Sequence, residues 1–123
     1  MIDLAKRAVA CKGWRWLPGM RAVGRRNLPA AWFRLDESTP SLTGEWSGAL
    51  PDLTDPATLG CVLALVREAL GDPGAAVWRA KIMPGEPEYW EVTDCPAVLP
   101  RIWYGCGKTE VEALISALEG ASA

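Results

Sequence analysis

A chain of 123 residues, half of them hydrophobic and under a quarter charged, has a globular composition and lies far from the low-hydrophobicity, high-charge signature of disorder. The absence of histidine removes the usual general base, the Ser-His-Asp and Cys-His nucleophile systems and every His-bearing metal motif, so binding is expected here rather than catalysis. The net charge of −2 conceals a split: residues 1 to 35 hold eight Lys or Arg against one Asp, whereas residues 36 to 123 hold five against fourteen acids.

The length suits one α+β domain over residues 1 to 123, able to bury roughly two thirds of its extended-chain surface without disulfides or metals. The longest apolar stretch, Leu59 to Val66, is far shorter than the ~20 residues of a membrane helix. The segment Met1 to Arg7 lacks the basic start, apolar run and cleavage site of a secretory signal, and a cytoplasmic location is expected. Cys11, Cys61, Cys95 and Cys106 contain no Cys-x-x-Cys pair. They read as four reduced thiols, with no metal or cofactor implied.

In chain order, Asp3 is placed to cap a short helix from Leu4 to Lys12, with Gly13 as its left-handed stop. Trp14 to Leu17, the turn Pro18-Gly19 and Met20 to Val23 read as a hairpin-like pair of extended runs, with a further strand at Ala31 to Leu35. Residues 36 to 54 are rich in Ser, Thr, Gly, Pro and Asp, a long surface connection in which Trp46 stands as one anchored aromatic. Asp55-Pro56 is a capping residue followed by proline at the first helical position, and a helix runs from there to Leu70 before Gly71. Its buried face is read as Leu59, Val62, Leu63, Val66 and Leu70, widened by Cys61 and Leu65, which marks a central helix.

After Asp72-Pro73-Gly74, alternation over Ala76 to Met83 and again over Tyr89 to Asp94 predicts a second hairpin. Trp90 and Val92 fall on one face of its second strand, and Tyr89, Glu91 and Thr93 on the other. Arg101 to Cys106 supplies a last strand, and Thr109 to Glu112 forms a capping box that opens a helix striped by Val111, Leu114, Ile115 and Leu118. The expected architecture is a small antiparallel sheet with helices packed on one face.

Four features bear on function. Gly105-Cys106-Gly107-Lys108-Thr109 resembles the tail of a P-loop, but Ile102 stands where that motif needs glycine, and the capping box explains the segment better. Trp14, Arg15 and Trp16, continued by Arg21, Arg25 and Arg26, interleave rings with cations as single-strand nucleic-acid platforms do. The structural alternative places Trp14 and Trp16 in the core and leaves Arg15 in solvent. Glu86, Glu88, Glu91 and Asp94, with Asp52 and Asp55, have no calcium-loop spacing and read as a solvated rim. Seven tryptophans are too many for all to be buried with satisfied indoles. Trp46 and the adjacent pair Trp103-Tyr104 are the best candidates for an exposed ring at an interface.

Three segments, Ala5 to Met20, Leu50 to Ala69 and Thr109 to Ala121, resemble small accessory proteins of bacteriophages and prophages. The resemblance implies a protein expressed in the host cytoplasm and carries no catalytic or ligand residues to transfer. Inhibitors of host machinery, anti-CRISPR proteins among them, are common among small phage proteins with aromatic-rich surfaces. Stoichiometric inhibition of a host protein or nucleoprotein complex is therefore the leading expectation, with direct nucleic-acid binding by the N-terminal third as the alternative.

Overall fold

A computed structural model describes residues 2–38, 42–80, 83–94 and 102–122. The elements are α1 (Ile2–Ala10), β1 (Arg21–Arg25), β2 (Leu28–Arg34), a 3-10 turn at Gly44–Trp46, β3 (Leu50–Pro51), α2 (Pro56–Leu70), β4 (Ala76–Ala80), β5 (Tyr89–Thr93), β6 (Trp103–Gly107) and α3 (Glu110–Ser122). The fold is α+β.

Capping chemistry bounds α2 as its sequence predicts. The Asp55 carboxylate accepts from the Thr58 backbone N–H at 3.0 Å and from its hydroxyl at 2.8 Å. At the other end Gly71 adopts φ 64°, where its N–H reaches the carbonyls of Arg67 and Glu68, a conformation that costs a Cβ-bearing residue energy. The Thr58 hydroxyl also accepts from the Arg21 N–H at 2.9 Å, and Asp55 pairs with Arg34 at 2.6 Å. Both strands of the first hairpin are thereby tied to the start of α2.

This helix is apolar over more than one stripe because it serves two cores. Val62 and Val66 enter a cluster with Ala5 and Ala8 of α1, Leu53, Val92 of β5 and the α3 residues Val111, Leu114, Ile115 and Leu118. Leu65, 1 % exposed, enters a second cluster with Met20, Ala22, Leu35 and Ala49, walled by Trp16, Phe33 and Trp46. Leu59, Leu63 and Leu70 are partly buried and pack against the first cluster beside Val62 and Val66, so the stripe read from the sequence faces that core while Leu65 reaches the other.

Among the described residues the strands form two sheets, ordered β2-β1-β3 and β4-β5-β6, and every pairing is antiparallel. The single sheet expected from the sequence is thus split in two. The first hairpin also differs: Trp14 to Leu17 is not a strand, and the chain reverses at Arg26-Asn27 between β1 and β2 rather than at Pro18-Gly19. Gly19 N–H donates to the Leu35 carbonyl at 2.9 Å, so the Pro18-Gly19 turn closes the far end of the hairpin. The β2 strand starts at Leu28, and α1 begins at Ile2 with Asp3 inside its first turn. Lys81, Ile82 and Arg101, which the alternation assigned to strands, lie outside the described residues, as does Cys95.

Helix α3 packs on one face of the second sheet through two glycines. A Cβ on Gly105 would stand 2.6 Å from the Ala117 backbone nitrogen, and one on Gly107 would stand 2.6 Å from the Glu112 Cβ. The Gly-Cys-Gly run therefore lets a helix lie directly against a strand. Thr109 caps that helix, its hydroxyl accepting from the Glu112 N–H at 3.1 Å.

Candidate functional site

The cations of the N-terminal third are distributed by tertiary pairing. Arg7 meets Glu119 at 2.6 Å, Arg21 meets Asp52 at 3.4 Å and Arg34 meets Asp55 at 2.6 Å, while Arg15 pairs with Glu68 and Arg25 with Glu45. Each of these five pairs joins the basic third to the acidic remainder. The hydrogen bonds from Arg34, Arg15 and Arg7 hold Asp55, Glu68 and Glu119 below the usual carboxylate range. Among the described residues, Lys6, Lys12 and Arg26 have no carboxylate within 4.0 Å.

The eight residues singled out from the sequence do not share one surface. Trp14 and Trp16 contact each other edge to face at 5.4 Å and pack against the cores, which is the structural alternative for this pair. The Trp14 indole nitrogen is buried with no hydrogen-bond partner among the described residues. Trp46 packs on Phe33 with ring centroids 4.4 Å apart, so it is a wall of the second core and not a free ring. Arg21 stacks over Trp32 at 3.9 Å. Arg25 and Arg26 sit by the 3-10 turn, the Arg26 N–H donating to the Glu45 carbonyl at 2.8 Å. Trp103 alone of the four candidate tryptophans is largely exposed, at 56 %, and it belongs to the second sheet. Trp32, 51 % exposed, has no sequence signal of its exposure, which depends on β2 being an edge strand.

Trp103 borders a groove of about 680 Å³ lined by Tyr89, Glu91, Cys106, Gly107, Lys108 and Glu112, a volume within the usual range of ligand pockets. The strand register explains its composition. Trp78, Glu91 and Cys106 lie side by side across β4, β5 and β6, on the face opposite Val77 and Val92, which pack into the first core. Tyr89 and Thr93 flank Glu91 along its own strand and point the same way. Trp78 reaches along this face, its indole N–H donating to the Thr93 hydroxyl at 3.1 Å.

Glu91 is not part of a solvated rim. It is 7 % exposed, and among the described residues its carboxylate accepts one long hydrogen bond, from the Tyr89 hydroxyl at 3.3 Å. Burial and the Glu91 charge raise the pKa of that tyrosine, which keeps it a donor. The other acids of the hairpin differ: Glu86 is exposed, Glu88 pairs with Arg79 at 3.4 Å, and Asp94 accepts from the Ile102 N–H at 3.0 Å. Asp52 and Asp55 are engaged with Arg21 and Arg34 beside the first sheet.

Among the described residues no group of three or more potential metal ligands occurs. Cys61 and Cys106 are free thiols, the Cys11 thiol donates to the Arg7 carbonyl at 3.3 Å, and burial raises the pKa of Cys61. No described helix is long and apolar enough to cross a membrane. No family model matches the chain, and no curated protein or solved structure matches it significantly.

Proposed function

We propose that the protein acts by stoichiometric association with another macromolecule rather than by catalysis, and that the Trp103 side of the second sheet is its contact surface. The observation that carries this is a tryptophan 56 % exposed at the lip of a groove lined by further polar and aromatic side chains. A large amphipathic ring beside a concavity is the composition of an interface hot spot, and an exposed indole costs solvation that a partner recovers. The partner proposed is a host protein or nucleoprotein complex, met in the host cytoplasm by a phage-derived accessory protein that inhibits it in the manner of anti-CRISPR proteins. That setting rests on the three resembling segments.

Direct nucleic-acid binding by the N-terminal third is the weaker reading. A phosphate-binding footprint needs cations free to displace counterions, and five of the eight in that third are held by carboxylates.

The test is affinity capture from nuclease-treated host lysate, followed by titration of the purified partner against the parent and two variants. Trp103→Ala should weaken the complex roughly a hundredfold, the scale of a hot-spot residue, while the joint change of Arg15, Arg25 and Arg26 to Glu leaves it within a few-fold. If the arginine variant loses the partner and Trp103→Ala does not, the contact surface is the N-terminal one.

A further inference from the structure

We infer that the groove beside Trp103 is a receptor for an arginine side chain of the partner, with Glu91 as the carboxylate that receives the guanidinium. The inference rests on the association reading above and names the chemistry of its central contact.

Glu91 lines the groove, and its carboxylate is not among the buried side-chain oxygens left without a hydrogen-bond partner, so it faces the groove, where a ligand that displaces water must supply a paired, hydrogen-bonded charge. Glu91 is 7 % exposed, and among the described residues its side-chain partner is the Tyr89 hydroxyl at 3.3 Å, beyond the usual O–H donor range. Among the described residues no cation lies within 4.0 Å of it, although Lys108 lines the same groove. The acceptor capacity of an ionised carboxylate is about four hydrogen bonds, so most of it is open to a ligand.

The surroundings select the kind of cation. Tyr89 and Trp103 line the groove with Glu91, and Trp78 is its cross-strand neighbour, so aromatic side chains stand around a carboxylate on one sheet face. Guanidinium is planar, stacks on ring faces and donates in a fork to a carboxylate, whereas an ammonium is compact, strongly hydrated and gains less from such a site. The charges agree in sign, since Glu91 and Glu112 outnumber Lys108 along the groove. A divalent cation fits poorly, because no group of three ligands occurs among the described residues and such ions take six or more oxygens.

The experiment uses the full chain and N-acetyl-arginine amide as the probe, followed through backbone amide and indole resonances, with the neutral isostere N-acetyl-citrulline amide and N-acetyl-lysine amide alongside. The arginine compound should give saturable shifts at the Trp103 indole and at Cys106 and Gly107, with citrulline and lysine weaker by roughly tenfold or more. Glu91→Gln should reduce arginine binding to the citrulline level. Equal response to arginine and citrulline, equal response to lysine, shifts centred elsewhere, or no saturable response up to about 50 mM would each overturn the assignment. The ligand comparison is made on the parent protein, so it decides the matter even if Glu91→Gln does not fold. Loss of the partner in Trp103→Ala without any arginine response sinks this inference and leaves the association surface standing. An arginine response with partner binding indifferent to Trp103→Ala leaves the groove an arginine receptor and overturns its assignment to the partner's contact surface.

Discussion

Gly105→Ala tests the closest contact in the fold, the seat of α3 on β6. The added methyl carbon would stand 2.6 Å from the Ala117 nitrogen, 3.0 Å from its Cα and 3.1 Å from the Ser116 carbonyl carbon. All three are backbone atoms of a helix whose other face is in the first core, so no side chain can swing away and the helix must lift from the sheet. Overpacking of this kind costs about 1–3 kcal/mol and occasionally more, and the rigidity of both partners places it near the top of that range. The lower entropy of the unfolded alanine chain returns about 0.4–1 kcal/mol, for a net loss of about 2 kcal/mol. Gly60→Ala is the internal control. Gly60 is exposed inside α2, and a Cβ there meets nothing within 4 Å, so the same chemical change should stabilise by about 0.5–1 kcal/mol. Urea unfolding followed by circular dichroism reads both variants, with the m-value checked for constancy. If Gly105→Ala is neutral or stabilising, as Gly60→Ala is expected to be, α3 does not lie on β6 at this distance and the account of the Gly-Cys-Gly run fails.

Two further perturbations probe α2. Leu65→Ala should cost about 2–5 kcal/mol, because Leu65 is 1 % exposed and leaves a cavity in the second core; Leu63→Ala, at a partly buried site, should cost less than half as much, and equal losses would shift the seam of the helix. For Asp55, the Arg34 guanidinium and the Thr58 donors hold the folded carboxyl below its ordinary value, which is about 3.9 in an unfolded chain. Its contribution is therefore complete above about pH 4 and is lost as pH falls through the depressed folded value. Asn caps a helix as well as Asp does, so Asp55→Asn isolates the charge: the stability gap between parent and variant in urea titrations should be widest near neutral pH and shrink toward about pH 2. A gap independent of pH would show that the ion pair with Arg34 contributes nothing.

The sequence alone determined what depends on neighbours along the chain. Asp55-Pro56 and Gly71 bound α2 because a cap, a proline at the first position and a left-handed stop act within a few residues. Thr109 likewise opens α3, and the alternation over Tyr89 to Thr93 assigned Glu91 and Val92 to opposite faces. The periodicity of α2 also implied a wide apolar surface, but it could not show that two cores share it or that Leu65 outranks Leu63. Tertiary structure decided everything that joins distant positions. Strand pairing has no local signature beyond its turn, so Pro18-Gly19 drew the hairpin that Arg26-Asn27 makes, and one sheet became two. The charge split was legible as composition. Its resolution, with Arg7 finding Glu119 across 112 positions, was not, because ion pairs form wherever folding brings opposite charges together. Glu91 looked like one acid among several near a turn, and only the register of three strands sets it between Trp78 and Cys106, where burial turns a surface carboxylate into a site.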